Sequence, residues 1–406
     1  MSKPKIRVKG YKDDWEQRKV TDLSEIYIGL VTTMTEHYTD KGHLLIRNSD
    51  IKDGYFEFGE NPIYLDEEFS EQNKSRMHQL GDVITVHTGD IGTSAVIGEN
   101  EVNSIGFATI ITRPNQEVLD SNYFATYLNT HIHKQWAISM ATGDGRSNYN
   151  LKDYTKLEVP IPQIEEQKKI AACVGNLNHL ITLHQRKCDE TKKLKKYMLQ
   201  KMFPQNGNKV PEIRFFGFTD DWEQRKLGDV FEQTTNFVNL DEDKMELWSL
   251  TVEDGLTPKS ERYNREFLVK KDTNFKEVRP GDIVYNPMNM TLGAVGYNGM
   301  AKSVAVSGYY TTMVANAGYD SYYINTWLKS PYAISLYKTF ATGSLKEKQR
   351  VQFPTLSIIP TVFPKTEEQK KIGQFFENLD RLITLHHRKY EELQKIKKFM
   401  LQNMFV

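Results

Sequence analysis

Two segments of the chain carry its most regular alternation of hydrophobic and polar residues. In residues 165–203 apolar side chains recur every three or four positions, at Ile170, Val174, Leu177, Ile181, Leu194 and Met198. In residues 367–405 the same spacing occurs at Ile372, Phe376, Leu379, Ile383, Leu393, Ile396 and Met400. This spacing predicts an amphipathic helix in each segment.

Helices of this length need a partner for their apolar stripe. About 38 residues at 1.5 Å per residue give a helix of roughly 57 Å. We expect the two helices to pair with each other as an intramolecular coiled coil. In the alternative, each helix docks separately on its own globular half.

The chain is a tandem repeat. Residues 6–19 read IRVKGYKDDWEQRK and residues 213–226 read IRFFGFTDDWEQRK, with 10 of 14 positions identical. The two helical segments agree at 24 of 39 positions at a constant offset of 202. The inserts between these motifs, residues 20–160 and 227–360, differ strongly in sequence but have similar length. This pattern indicates one scaffold used twice, with two inserts that are free to recognise different targets.

Both inserts have a mixed α/β (α+β) pattern. The predicted strands are Val83–Val86, Ala95–Ile97, Phe107–Thr112, Ile283–Tyr285, Ala294–Gly296 and Tyr310–Val314, and a Gly-Asp turn precedes one strand in each insert. Helical spacing then covers Ser121–Met140 and Ser321–Phe340, where Pro331 is expected to break or kink the second helix. Each insert ends in Ala-Thr-Gly.

Charge is distributed unevenly although the net charge is zero. Residues 1–164 carry 17 Lys and Arg against 24 Asp and Glu, and residues 204–364 carry 18 against 19. The helical segments 165–203 and 365–406 carry 9 against 4 and 9 against 6. Cys173 and Cys188 fall about 22 Å apart on one predicted helix, too far for a disulfide. With no apolar run long enough for a membrane span, we expect a cytoplasmic protein without membrane contact.

Signatures of enzymes are missing from the sequence. No phosphate-binding Gly-x₄-Gly-Lys-Ser/Thr loop or dinucleotide fingerprint occurs. Asn286-Pro287-Met288-Asn289 lacks the second proline and the aromatic residue of an amino-methyltransferase motif. His131 and His133 do not share a helix face, and no Cys-x-x-Cys occurs. We therefore expect no catalytic residue, cofactor site or metal site in this chain.

The order of motifs resembles a known family over essentially the whole chain. One insert leads into ATGDGRSNYNLKDYTKLEVPIPQIEEQKKI and a long helix, and the other into ATGSLKEKQRVQFPTLSIIPTVFPKTEEQKKI and a long helix. This resembles the specificity subunits of type I restriction–modification systems. The second half departs from the family pattern, because Leu345–Arg350 replaces the stretch Arg146–Asn148.

The resemblance implies a non-catalytic subunit that reads double-stranded DNA. Two target-recognition domains, 1–163 and 204–364, would each read half of a bipartite asymmetric site. Two conserved helices, 164–203 and 365–406, would separate them as an antiparallel coiled coil with pseudo-two-fold symmetry. Two methyltransferase subunits and two restriction/translocase subunits would be the partners, carrying S-adenosylmethionine, ATP and Mg²⁺. The competing hypothesis is a coiled-coil assembly scaffold whose inserts bind protein.

Candidate DNA contacts follow from residue chemistry. Arginine pairs with guanine, asparagine and glutamine pair with adenine, and basic side chains contact phosphates. The candidates in the first insert are Arg47, Asn48, Lys74, Arg76, His87, Arg146, Asn148 and Asn150. Those in the second are Arg262, Asn264, Arg265, Asn286, Asn289, Lys346, Lys348 and Arg350.

Overall fold

The chain folds as two compact units. The computed structural model describes residues 3–141, 148–205, 207–252, 255–259, 274–343 and 349–405. The first unit comprises residues 1–184 and 388–406, and the second unit comprises residues 185–387. The four-segment division made from the sequence stays a prediction.

The first unit is built on small sheets and short helices. Its strands are β1 Glu16–Lys19, β2 Ser24–Ile28, β3 Tyr38–Thr39, β4 His43–Arg47, β5 Ile51–Lys52, β6 Tyr55–Phe56, β7 Tyr64–Leu65, β8 Val83–Thr85, β9 Ser94–Val96, β10 Ile105–Phe107, β11 Ile110–Pro114 and β12 Glu158–Ile161. Its helices are α1 Glu67–Gln72, α2 Ser121–Leu128, α3 His131–Met140, α4 Leu151–Tyr154 and the beginning of α5 Ile164–Lys201. The central sheet is antiparallel, with strand order β2-β11-β8-β9. A second sheet, β10-β4-β7-β3, contains a parallel β10–β4 pair.

The second unit repeats this central sheet. Its strands are β13 Glu223–Lys226, β14 Phe231–Thr234, β15 Phe237–Val238, β16 Trp248–Thr251, β17 Gly255–Pro258, β18 Phe275–Val278, β19 Ile283–Tyr285, β20 Val295–Tyr297, β21 Val304–Ser307, β22 Thr311–Ala315 and β23 Pro360–Phe363. Its helices, numbered among the described residues, are α6 Leu227–Val230, α7 Leu240–Asp243, α8 Ser321–Leu328, α9 Pro331–Phe340, α10 Phe353–Ser357 and the beginning of α11 Thr366–Asn403. The antiparallel sheet β14-β22-β19-β20 corresponds strand for strand to β2-β11-β8-β9. The mixed α and β fold and the internal repeat predicted from the sequence are confirmed.

Two elements predicted as continuous are divided in the structure. The predicted helix Ser121–Met140 is two helices, because Thr130 caps a new one by accepting a hydrogen bond from the His133 amide at 3.3 Å. In the second unit the break expected at Pro331 is confirmed: Ser330 is the cap and Pro331 occupies the first turn of the new helix. The predicted strand Phe107–Thr112 was also wrong: Ala108, at φ 48°, turns the chain between β10 and β11, which belong to different sheets.

A buried ion pair joins the two repeated motifs within each unit. The Arg7 guanidinium donates to both carboxylate oxygens of Glu166 at 2.8 and 2.9 Å, and the Glu166 side chain is 0% exposed. Arg214 makes the same two bonds to Glu368 in the second unit, at 2.7 and 2.8 Å. The hydrogen bonds to these carboxylates raise the pKa of both arginines. The Ile-Arg motif and the start of the long helix are therefore held as one structural element.

The glutamine that follows each glutamate fixes the start of the neighbouring helix. Gln167 Oε1 accepts from the Asp120 amide at 2.9 Å, and Gln167 Nε2 donates to the Pro162 carbonyl at 2.9 Å. Gln369 makes the equivalent bonds to the Asp320 amide at 3.0 Å and to the Pro364 carbonyl at 2.8 Å. The repeated Glu-Glu-Gln sequence is thus a packing motif of the scaffold.

The far end of each long helix lies in an aromatic cluster. In the first unit the Phe405 ring lies 6.3 Å from that of Trp15 and 5.6 Å from that of Tyr123. In the second unit the Phe203 ring lies 6.4 Å from that of Trp222 and 5.9 Å from that of Tyr323. The buried tryptophan of each Asp-Asp-Trp motif therefore packs against the end of a long helix.

Antiparallel packing of the two long helices is visible within the second unit. Cys188 Sγ lies 3.8 Å from the Ile383 carbonyl oxygen, and Lys195 forms an ion pair with Asp380. Further along, the Phe203 ring stacks on Phe376 at 6.0 Å. Because one residue number rises as the other falls, the two segments run in opposite directions, as a coiled coil of antiparallel helices requires. Pairing, and not separate docking, describes these segments.

Two histidines are buried in the first unit. His133 Nδ1 lies 2.6 Å from the Leu128 carbonyl oxygen and its Nε2 lies 3.3 Å from the Tyr149 hydroxyl. Burial lowers the pKa of His133 to about 4. His78 Nδ1 lies 2.8 Å from Ser104 Oγ, and burial lowers the pKa of His78 to about 3. Both side chains are therefore neutral in the folded unit near neutral pH.

Truncating one partner of the buried ion pair should destabilise the first unit strongly. Arg7→Ala leaves the Glu166 carboxylate buried without a partner, which costs about 3 kcal/mol of unfolding free energy. Arg186→Ala is the matched control, since Arg186 and Glu190 form a pair that is 76% and 57% exposed and is worth at most about 1 kcal/mol. Urea unfolding of the full chain measures both. Equal shifts for the two variants would contradict a structural role for the Arg7 pair.

Acid should destabilise the first unit through its buried histidines. Their folded-state pKa values lie below the unfolded value, so the stability they contribute is complete above about pH 6.5. It is lost as the pH falls toward 4 for His133 and toward 3 for His78. Each histidine adds up to about 1.4 kcal/mol per pH unit to the slope of unfolding free energy against pH. His133→Gln should lower that slope, whereas the same change at exposed His131 should not. An unchanged slope for His133→Gln would show that this side chain is not buried in its neutral form.

Candidate nucleic-acid interface

Three residues predicted to contact DNA meet at the loop that follows β8. Asn48 Oδ1 accepts from the His87 amide at 2.8 Å, and Asn48 Nδ2 donates to the Ala108 carbonyl at 3.0 Å. His87 Nδ1 lies 2.8 Å from Thr88 Oγ1, which donates to Asn148 Oδ1 at 2.8 Å. Residues distant in sequence are thus joined in one hydrogen-bonded network at the surface of the first unit.

The residues of this network differ in their burial and in their hydrogen-bond partners. Partial burial lowers the pKa of His87, so this imidazole is less readily protonated than an exposed one. The Asn48 amide has protein partners on both its oxygen and its nitrogen, which suits a residue that positions its neighbours. Thr88 was not among the residues predicted from the sequence. No local pattern marks it, because its partner Asn148 lies 60 residues away.

Three basic residues of the first unit that were predicted to contact DNA lie outside this network and make other contacts. The Arg47 guanidinium donates to both oxygens of Asp50 at 3.0 and 2.8 Å, and its side chain is 40% exposed. Arg76 Nη1 donates to the Ile28 carbonyl at 2.9 Å, and its guanidinium carbon lies 5.7 Å from the Tyr27 ring centroid. Lys74 pairs with Glu71 and is 72% exposed. Among the three, Lys74 has the most exposed side chain, and the exposed ion pair constrains it only weakly.

The second unit brings two segments with predicted contacts together. After β19, Asn286 Oδ1 accepts from the Met288 amide at 3.0 Å. The Pro287 carbonyl accepts from the Val351 amide at 3.0 Å, which holds the loop against the segment that contains Arg350. Arg350 exchanges two backbone hydrogen bonds with Thr342, at 2.9 and 3.0 Å. The corresponding segments of the first unit, residues 87–88 and 148–149, meet in the same way.

The remaining candidates have fewer described contacts. Asn289 is exposed in the loop after β19, and Asn150 precedes α4, where its carbonyl accepts from the Asp153 and Tyr154 amides at 2.9 Å. Six candidates lie outside the described residues: Arg146, Arg262, Asn264, Arg265, Lys346 and Lys348. All sixteen assignments to DNA stay predictions.

No helix among the described ranges has the length and apolar content needed to cross a bilayer. In that same part of the chain, no cluster of three or more His, Cys, Asp and Glu side chains is arranged to hold a metal ion.

Comparison with known proteins connects this fold to one family. The family described as "Type I restriction modification DNA specificity domain" matches residues 12–193 and again residues 219–395. A relative from Methanocaldococcus jannaschii carries the name of a type I restriction enzyme specificity subunit, MjaX. It is 23% identical over 420 residues, which cover 95% of this chain and 91% of the relative. The MjaVIII specificity subunit of the same organism is 20% identical over 346 residues, covering 80% and 78%.

A solved structure has the same fold. The type I restriction–modification system S subunit from M. genitalium superposes with a TM-score of 0.65 at 14% sequence identity, covering 100% of this chain and 99% of that one. The resemblance stated from the sequence motifs is therefore confirmed by the sequence matches and by this fold. The chain belongs to the type I restriction–modification DNA specificity family and contains two copies of its specificity domain.

Proposed function

We propose that the chain reads a bipartite, asymmetric DNA sequence, with one target-recognition domain for each half-site. The observation that carries this proposal is that the family's specificity domain occurs twice, on the same scaffold, around inserts of different sequence. A scaffold repeated with its ion pair, glutamine contacts and aromatic cluster presents two surfaces in equivalent settings. Different inserts on equivalent scaffolds suit recognition of two different half-sites. The predicted domain limits are 1–163 and 204–364.

The residues near the loops after β8 and β19 have the chemistry for reading bases. Asparagine amides pair with adenine in the major groove, and basic side chains add phosphate contacts that set the register. In the second unit, Asn286, Asn289 and Arg350 combine these functions. The first insert is acidic overall, so it neutralises few phosphates in bulk. We infer that partner subunits supply much of the non-specific DNA affinity.

Chemistry on DNA is assigned to partners. In this proposal two methyltransferase subunits bind S-adenosylmethionine and methylate adenine, and two restriction/translocase subunits use ATP and Mg²⁺. The specificity subunit works in the cytoplasm, has no catalytic residue or cofactor of its own, and determines where the others act. The absence of nucleotide-binding motifs in the sequence supports this division of roles.

Exchange of one insert should change one half-site alone. Replacing residues 20–160 with the corresponding insert of a relative leaves the scaffold motifs intact, so the assembled complex should methylate a hybrid site. Methylome sequencing of a host that carries the variant and the partner genes measures this.

Replacing residues 227–360 is the matched control and should change the other half-site. Simultaneous change of both halves by either exchange would reject independent reading. Unchanged methylation after deletion of the whole gene would reject the specificity role itself and would favour a protein-binding scaffold.

The purified chain should transfer no methyl group. Incubation with S-adenosylmethionine and a duplex that contains the host's methylated site should give no labelled DNA above the level without protein. Addition of the cognate methyltransferase subunits should restore labelling. Labelling by the rigorously purified single chain would place catalysis in this protein and contradict the proposal.

A further inference from the structure

The two units differ in chemistry at one equivalent loop. In the central sheets, β8 corresponds to β19 and β9 to β20. The connecting loops, residues 86–93 and 286–294, read VHTGDIGT and NPMNMTLGA. They are similar in length and different in side chains. Similar length with different side chains is what a base-contacting loop needs when the two half-sites differ in sequence.

In the first unit the loop is held by hydrogen bonds between its own residues and by contacts with neighbouring segments. The Val86 amide donates to the Thr93 carbonyl at 2.8 Å, and the Gly92 amide donates to the Val86 carbonyl at 3.0 Å. Gly92 has φ +83°, and a β-carbon there would lie 3.3 Å from the Ala137 β-carbon of α3. The Asn48 and Asn148 side chains hold the outer part of the loop through the network described above.

The second loop is held by equivalent means. The Asn286 amide donates to the Ala294 carbonyl at 3.1 Å, and buried Met290 anchors the loop in the core. Gly293 has φ +89°, and a β-carbon there would lie 3.4 Å from Ile334 Cδ1 of α9. The Pro287 carbonyl is bound by Val351. Both loops are therefore preorganised, as precise recognition requires.

The exposed side chains of the loops are of opposite character. Asp90 accepts from Thr93 Oγ1 at 2.7 Å and lies 3.8 Å from Lys134 Nζ, yet its side chain is 78% exposed. Beside the exposed Asn289, the second loop exposes two apolar side chains, Met288 and Leu292, which are 52% and 60% exposed. A fixed carboxylate accepts a hydrogen bond from the amino group of cytosine, whereas apolar side chains contact the methyl group of thymine.

Resting on the proposed function, we propose that these loops read bases in the two half-sites. The Asp90 carboxylate accepts from a cytosine amino group in the half-site of the first unit. Met288 and Leu292 contact a thymine methyl group in the half-site of the second unit. A carboxylate near DNA is repelled by phosphate, so its benefit must come from a specific donor on a base edge. The acidic character of the first insert is consistent with this kind of contact.

Methylome sequencing of the host with variants of the full chain tests the proposal. Asp90→Ala should reduce discrimination at one C·G position of one half-site by roughly five- to 150-fold. That half-site should be the one changed by exchange of residues 20–160. Met288→Ala combined with Leu292→Ala should weaken selection of one A·T position in the other half-site. Glu99→Ala and Phe216→Ala, at exposed positions away from the loops, are the matched controls and should leave both half-sites unchanged.

A variant that retains the loop structure covers the case in which Asp90→Ala fails to fold. Asp90→Asn retains an oxygen for Thr93 and adds an amide donor, so selection at the same position should move from cytosine toward adenine. Unchanged half-sites with folded Asp90 variants would overturn the loop assignment, as would a change in the half-site of the second unit. If deletion of the gene abolishes methylation while all loop variants behave as wild type, only this inference fails. If deletion has no effect, the proposed function fails as well.

Discussion

The scaffold of each unit depends on a buried ion pair between two repeated motifs. Glu166 and Glu368 are fully or almost fully buried, and each has an arginine that donates to both carboxylate oxygens. An unpaired charge in such a position would be costly, so the arginine of the Ile-Arg motif and the glutamate of the long helix must occur together. Because the two residues lie 159 positions apart in the first unit, the whole insert must fold between them.

The aromatic clusters add a second long-range constraint. The first unit is completed by Phe405, which packs against Trp15 and Tyr123 near the beginning of the chain. Phe203 makes the corresponding contacts with residues that follow it, Trp222 and Tyr323. The first unit therefore needs residues from the end of the sequence, whereas the second unit is formed from one continuous segment. Loop closure over such a distance slows folding more than it lowers stability.

A rigid scaffold allows the inserts to differ. Asp82 and Asp282 both cap the turn before the central strand, by accepting from the Gln79 and Arg279 amides at 2.8 and 2.9 Å. In the first unit Asp82 is also bound by Arg113. In the second unit the strand register places Val314 at the position of Arg113, and burial raises the pKa of the Asp282 carboxyl group. Backbone geometry is retained between the units while side-chain chemistry changes, which is what independent recognition surfaces require.

The sequence by itself determined the repeat, the two long helices and the family. The helices end within about two residues of their predicted limits, since periodic apolar spacing over ten turns is a strong local signal. The Glu-Glu-Gln motif was visible as a repeat, but its pairing with the Ile-Arg motif was not. Tertiary structure decided the division of Ser121–Met140, where the Thr130 cap outweighs helical spacing. It also decided which polar residues meet near Thr88, because hydrogen bonds across 39 and 60 residues leave no periodic trace in a sequence.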